Sequence, residues 1–502
     1  MALEGMLAAE RGGLQQIYSV PAPSGGWNTR DAISEMAPND AIELDNFIPA
    51  VGSVISRNGC NQFCTGLGDD VETLAEYHSG AVRKFVAAAG DEIFEISSGT
   101  ASSLGSGYTN ARWQTRQFNA YLLMVNGADT PKKYEGTTLT DTVFTGSGLT
   151  PANLIGIHSH RNRLYLWEAN SQDFWYGGVN SIAGALTKFQ LSRVADRGGN
   201  LVSIHSISRD SGSGQDDLIA FFMSSGEVLV YNGGDPGDAA DWSLIGKYKV
   251  GAPIGIRSAV EYKGDVLVLT KADASSLNQM MTEGGFNNQP SKLSGAVAVA
   301  SRSYGSNYGW QATLYPRGNL IIFNVPIAEN ATYHQYVMNT ITGAFCRFKG
   351  WNARCFGVYN DRLYFGGDGK VFIADDGLDD SDTDITVSGQ QAFTSPGGTL
   401  NKRFTRVRLV TKADGNVSYN ISVAYDYGTA GSVQVIASAS SGTPWGSPWS
   451  SPWSPEESGR INTFLVAGRA SAISVKLNTS LRNQRSQWFR TDIAFKPHSR
   501  FC

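Results

Sequence analysis

The sequence predicts an all-β protein, a β-propeller of six or seven blades followed by a small β-sandwich. Three observations point there. Glycine is abundant (57 of 502 residues) while charged residues make up only 17%, a mixture that suits many short strands joined by tight turns. Short β-branched, aromatic and leucine-rich runs recur in pairs around turn residues. The pairs return at a period of roughly 35 to 55 residues, as propeller blades do.

In chain order, the first stretch is Gly25-Gly26-Trp27-Asn28-Thr29-Arg30, then Pro38-Asn39-Asp40 and Leu44-Asp45-Asn46-Phe47-Ile48-Pro49. Gly25-Gly26 allows a sharp turn and Trp27 supplies a large apolar anchor. Asn39 or Asp40, with Glu43 following, predicts a capped short helix over 41–46 that Ile48-Pro49 ends. Residues 53–57 alternate like a strand, and Asn58-Gly59 reads as a hairpin turn. Hairpin-like units follow at 85–96, 121–134, 163–176, 218–231, 265–270, 320–337 and 355–373. One four-stranded meander cannot bury both faces, but a ring of them can. Polar stretches at 208–217 and 282–291 read as loops projecting from that ring. The acidic run 375–384 reads as a linker. From Lys402 onward the strands lengthen; Val417, Tyr419, Ile421, Val423 and Tyr425 alternate with small or polar residues, as in a half-buried antiparallel strand. The expected division is therefore a docking arm over 1–64, a propeller over 65–376, an acidic linker over 377–401 and a sandwich over 402–502.

The segment 444–455 repeats Pro-Trp at fourfold spacing. Its prolines forbid a ladder strand, so Trp445, Trp449 and Trp453 are expected either to pack on themselves in a loop or to cover a neighbouring subunit or partner.

Little in the chain points to catalysis. There is no Walker A loop, no G-x-S-x-G elbow, no H-E-x-x-H and no G-x-G-x-x-G after a strand. His158 and His160 share a strand face, but no third ligand is near in sequence and Arg161 and Arg163 would repel a cation. Asp380, Asp382 and Asp384 have calcium-loop spacing, yet the glycine and closing glutamate of an EF-hand are missing. A propeller glycosidase could use Asp196, Asp216, Asp217 or Asp265, although aspartates in turns usually serve the turn. Five widely spaced cysteines make a poor disulfide framework and read as reduced, buried thiols. The expectation is a non-enzyme with no cofactor and no metal. A net charge of −4 offers no basic surface for gripping nucleic acid. No apolar run is long enough for a helical membrane span, and residues 1–11 lack a secretion signal.

The N-terminal segment resembles the signature of the podophage tail nozzle family, also called tail hub or packaged-DNA-stabilisation proteins. There a GG-(W/L)-N-T-R segment precedes D-N-(F/W)-x-P and a strand ending in Arg and Gly, here Arg57 and Gly59. The local match covers about 35 residues, and beyond it the likeness is one of architecture. The resemblance implies a homohexameric tube in the phage tail, assembled in the host cytoplasm. Propellers would form its wall, and N- and C-terminal segments would combine into a platform gripping the adaptor ring. Trp27, Asn28, Thr29, Arg30, Asp45, Asn46, Phe47 and Pro49 would be the docking residues. Further implied partners are a tail fibre or tailspike, a needle or plug protein, and genomic double-stranded DNA passing without sequence recognition. The alternatives are a monomeric propeller module binding glycans or peptides, and a propeller glycoside hydrolase.

Overall fold

The structure is a computed structural model that describes residues 15–210, 215–283, 290–414, 417–431, 434–437 and 459–497. The chain forms two compact units. One comprises Gly59–Thr340 and Phe348–Ser381; the other comprises Met1–Asn58, Ile341–Arg347 and Asp382–Cys502.

The first unit is a β-propeller with seven blades among the described residues. Most expected hairpins are the two middle strands of a blade, because a run, a tight turn and a second run pair locally; 355–373 instead begins on the innermost strand of its blade, and 265–270 holds a single strand. Tyr121–Val125 and Lys132–Tyr134 are one example; Arg362–Gly366 follows Cys355–Tyr359 through Asn360 and Asp361, both at positive φ (47° and 58°), as a two-residue hairpin turn requires. The innermost strands are residues 71–79 of Cys60–Ser79, then Gln114–Phe118, Leu154–His160, Leu201–Asp210, Ala259–Tyr262, Gln311–Tyr315 and Cys355–Tyr359. Each touches the next, and the last touches the first, so the ring is closed.

Closure comes from one long strand. Residues 60–70 of Cys60–Ser79 pair with Asp368–Ala374 as the outer strand of the last blade, and residues 71–79 open the first blade against Val82–Ala89. The N-terminal and C-terminal ends of the propeller sequence are thus stitched in one sheet. Apolar layers fill the gaps between blades. In one, Phe174, Phe221, Tyr231 and Trp242 cluster with ring centroids 4.7 to 6.4 Å apart.

The second unit is a sandwich that takes strands from both ends of the chain. One sheet runs Gly459–Ala470, Lys402–Ala413, Ser486–Pro497, Ser53–Ser56, Phe47–Ala50, with Gln16–Pro21 also on Ser486–Pro497. The other carries Gly26–Trp27, Asp40–Asp45, Ile385–Gln391, Ile473–Leu481, Ser418–Tyr425 and Gln434–Ala437. Gly389 marks where the sheets meet: a Cβ there would lie 3.2 Å from the Trp488 ring and 3.6 Å from Phe47, both fully buried.

Several sequence expectations need correction. Residues 41–46 are not a helix; Asp40–Asp45 is a strand, held by parallel pairing to Gly26–Trp27 and antiparallel pairing to Ile385–Gln391. Asp40 accepts a hydrogen bond from the Asn28 amide at 2.8 Å instead of capping a helix. Asn58-Gly59 is not a hairpin turn. Gly59 lies so close to the Asp379 carbonyl that any Cβ would collide with it, and its N–H donates to Gly377 O at 3.0 Å. The expected linker 377–401 contains the internal strand Ile385–Gln391, and residues 59–64 belong to the propeller, not to an arm. The polar stretch 208–217 is largely strand, Leu201–Asp210 pairing with Gln215–Met223. In the fifth blade three strands pair among the described residues, and the unanticipated helix Leu277–Glu283 packs beside them.

Candidate functional site

The signature residues are mostly internal struts of the sandwich. Trp27 is buried, with the Arg347 guanidinium carbon 4.9 Å from its ring centroid. Asn28 is buried; its amide donates to Asp31 and Asp40 at 2.8 Å each, and its Oδ1 accepts the backbone N–H of Arg30 and Asp31. Asp45 is buried and takes both ends of the Arg347 guanidinium, at 2.6 and 2.9 Å. Asn46 adopts φ 57°, donates to Thr386 O and accepts from Arg57 Nε, while Phe47 and Pro49 are buried. Thr29 is half-buried and Arg30 is exposed, paired with Asp31. Six of the eight therefore act within the unit rather than offering a free face.

The propeller axis holds a cavity of about 420 Å³ to which all seven innermost strands contribute. Its charged lining residues are Arg116, Arg257 and Glu261, accompanied by His158, His205, Gln114, Gln311, Thr73 and Ser203. Arg257 comes from just before the fifth blade and crosses to the first two. It donates to Glu72 O (2.9 Å), Thr73 Oγ1 (3.0 Å), Trp113 O (2.5 Å) and Gln114 Oε1 (3.2 Å).

Strand alternation puts His158 and His160 on one face of Leu154–His160, as the i, i+2 spacing predicts. What sequence reasoning missed is their partner. Ser206, on the innermost strand of the next blade, has its Oγ 3.0 Å from His158 Nε2 and 3.0 Å from His160 Nδ1. Glu261, one blade further, accepts the Ser206 N–H at 2.8 Å and sits 3.8 Å from His205 Nδ1.

Burial and the Arg116 charge push His158 well below the usual histidine range; burial and Arg161 bring His160 down to about 4. Both rings are therefore neutral near pH 7. Burial alone would raise Glu261, but hydrogen bonds from His205 and the Ser206 N–H hold its carboxyl below the ordinary range.

The group is not a charge-orienting triad. Glu261 approaches His158 from the Nε2 side (4.0 Å), the nitrogen that already faces the serine, instead of orienting Nδ1. Ser206 and His160 also stand behind the cavity wall, outside its lining. The chemistry on offer is polar cross-bracing of three blades.

The remaining sequence candidates do not converge. Asp196 pairs with Lys247 at the surface, and Asp217 accepts from Ser208. Asp265 accepts from Ser276 Oγ and from the N–H of Asn278 at the start of the short helix. Asp380 accepts the Trp351 indole N–H, Asp382 pairs with Arg482 and Asp384 accepts from Ser480. Among the described residues no three His, Cys, Asp or Glu side chains are grouped to hold a metal. Cys60, Cys64, Cys346 and Cys355 are free and buried. The side chain of Asp216 and the whole of Trp445, Trp449 and Trp453 lie outside the described residues.

Fold and site together define a seven-bladed propeller joined to a two-sheet sandwich, with a polar cavity on the propeller axis. No family model and no curated protein matches the chain. Solved structures do resemble it. The computationally designed Ika8 protein aligns over 66% of this chain and 96% of its own, at 11% identity and a TM-score of 0.37. YCF48 bound to D1 peptide aligns over 64% and 95%, at 8% identity and the same TM-score. The propeller assignment rests on the strand order described above.

Proposed function

We propose that the protein is a structural virion component, the nozzle of a short-tailed phage. It acts as a homohexamer attached to the adaptor ring, retains packaged DNA and passes it at ejection. One observation carries this reading: the signature segment and the C-terminal strands are woven into a single sandwich, as a platform of combined termini requires. The burial of Trp27, Asp45 and Phe47 gives the signature a physical meaning, since these residues set the shape of the platform that docks.

The propeller axis itself does not serve as the conduit in this reading. A duplex whose major groove alone is about 12 Å wide does not enter a cavity of about 420 Å³ crossed by Arg257. The channel runs between subunits, with whole propellers as its wall. A net charge of −4 suits a lumen that must release DNA.

The test is a phage in which the gene is disrupted and supplied in trans. Without the protein, heads should fill, lose their DNA and carry no tail below the adaptor. Infectious, DNA-filled particles lacking the chain would overturn the proposal.

A further inference from the structure

The axial cavity is lined by more positive than negative side chains. Two of its three charged lining residues are arginines, and among the described residues neither has a carboxylate within ion-pair distance. Among the described residues Arg116 donates to Ser159 alone, through Nε to Oγ at 2.8 Å and Nη2 to the carbonyl at 3.3 Å. Every acceptor of Arg257 is neutral as well. Glu261 is committed to the Ser206 N–H and His205. Both guanidinium groups are half-buried, and the carboxylates that act on them, Glu261 on Arg116 and Glu72 on Arg257, do so from beyond ion-pair distance, so a wall with two of them favours an anion between them.

The placement suits a small occupant. Gln114 and Arg116 lie two residues apart on one strand, hence about 7 Å apart on the same side. Arg257 meets Gln114, which brings the second guanidinium alongside the first. Trp113, Trp167 and Ser203 also line the cavity. They are 1%, 4% and 2% exposed, and their indole N–H or hydroxyl groups have no hydrogen-bond partner among the described residues. A volume of about 420 Å³ falls in the range of small-molecule sites, roughly 300–1,000 Å³.

We propose that the propeller axis is a binding site for a compact oxyanion of monosaccharide size or smaller, its carboxylate or phosphate held by Arg116 and Arg257. The site lies inside one propeller and stands independently of the tail assignment.

The experiment is calorimetric titration of the full-length protein with three probes: inorganic phosphate, sodium glucuronate and neutral glucose. One equivalent of phosphate or glucuronate should bind saturably, and glucose should not. Which anion binds separates a phosphate from a carboxylate ligand. Arg116→Gln should weaken that binding at least tenfold, through loss of a charge-assisted contact. Glu261→Gln keeps an acceptor for the Ser206 N–H and should tighten binding severalfold by removing the lining carboxylate. Thermal melts establish that each variant is folded; if Arg116→Gln is not, Glu261→Gln decides. No saturable binding of either anion up to about 10 mM, or affinities unchanged in the folded variants, would overturn the proposal.

Discussion

Replacing Asp45 by Ala should destabilise the sandwich unit by about 3–5 kcal/mol. Asp45 and Arg347 form a bidentate pair at 2.6 and 2.9 Å, with side chains only 5% and 20% exposed, so neither charge has ready access to water. Deleting the carboxylate removes the bidentate partner of the guanidinium while it still lies against the Trp27 ring. The loss therefore reflects the desolvated charge left in place as well as the missing attraction. Replacing both residues, Asp45→Leu with Arg347→Met, should recover most of it, because a well-packed apolar pair often equals a buried ion pair. The assay is urea unfolding of the full chain followed by tryptophan fluorescence, with the phase that Asp45 variants shift assigned to the sandwich and the phase they leave unchanged to the propeller. A cost for Asp45→Ala below about 1 kcal/mol would refute the reasoning and make the pair a solvated surface contact.

Further outcomes follow from the same packing. Phe47→Ala, at a site with no exposed surface between the two sheets, should cost about 3–5 kcal/mol in the same assay, and a loss under 1 kcal/mol would show that the core collapses around it. Acid should destabilise the propeller: His160 titrates near 4 when folded and near 6.5 when unfolded, so between those values the unfolded chain binds more protons and stability falls as pH drops. The slope should approach about 1.4 kcal/mol per pH unit for this one group, and His160→Gln should flatten it; a slope untouched by that change would contradict the neutral, buried assignment. Replacing Trp445, Trp449 and Trp453 with Ser should leave the monomer folded but impair joining to the tail; normal tails with retained DNA would dismiss a contact role for the Pro-Trp loop.

The parts of the fold legible in the sequence are the local ones. A blade hairpin such as Tyr121–Tyr134 carries its own apolar runs and its own turn at Asn126-Gly127, so no distant partner is needed to recognise it. Asp40–Asp45 is the opposite case. Its local residues satisfy helix-capping rules, yet its backbone partners are Gly26–Trp27 and a strand beginning at Ile385, and long-range pairing overrode propensity. The ring closure by residues 60–70 was hidden for the same reason. At the axis, the shared face of His158 and His160 was readable from spacing, whereas Ser206, Glu261, Arg116 and Arg257 come from other blades. Each looks like an ordinary strand or turn residue until the ring closes.

The proposed function makes this chain a six-fold tail component, and single-particle imaging of virions from a phage carrying its gene tests that proposal most directly. The account predicts six copies around the tail axis below the adaptor. The sandwiches would bear on the adaptor, and the DNA path would run between subunits and not through any propeller. Absence of the chain from the particle, or its presence as an isolated monomer at the tail periphery, would contradict the account.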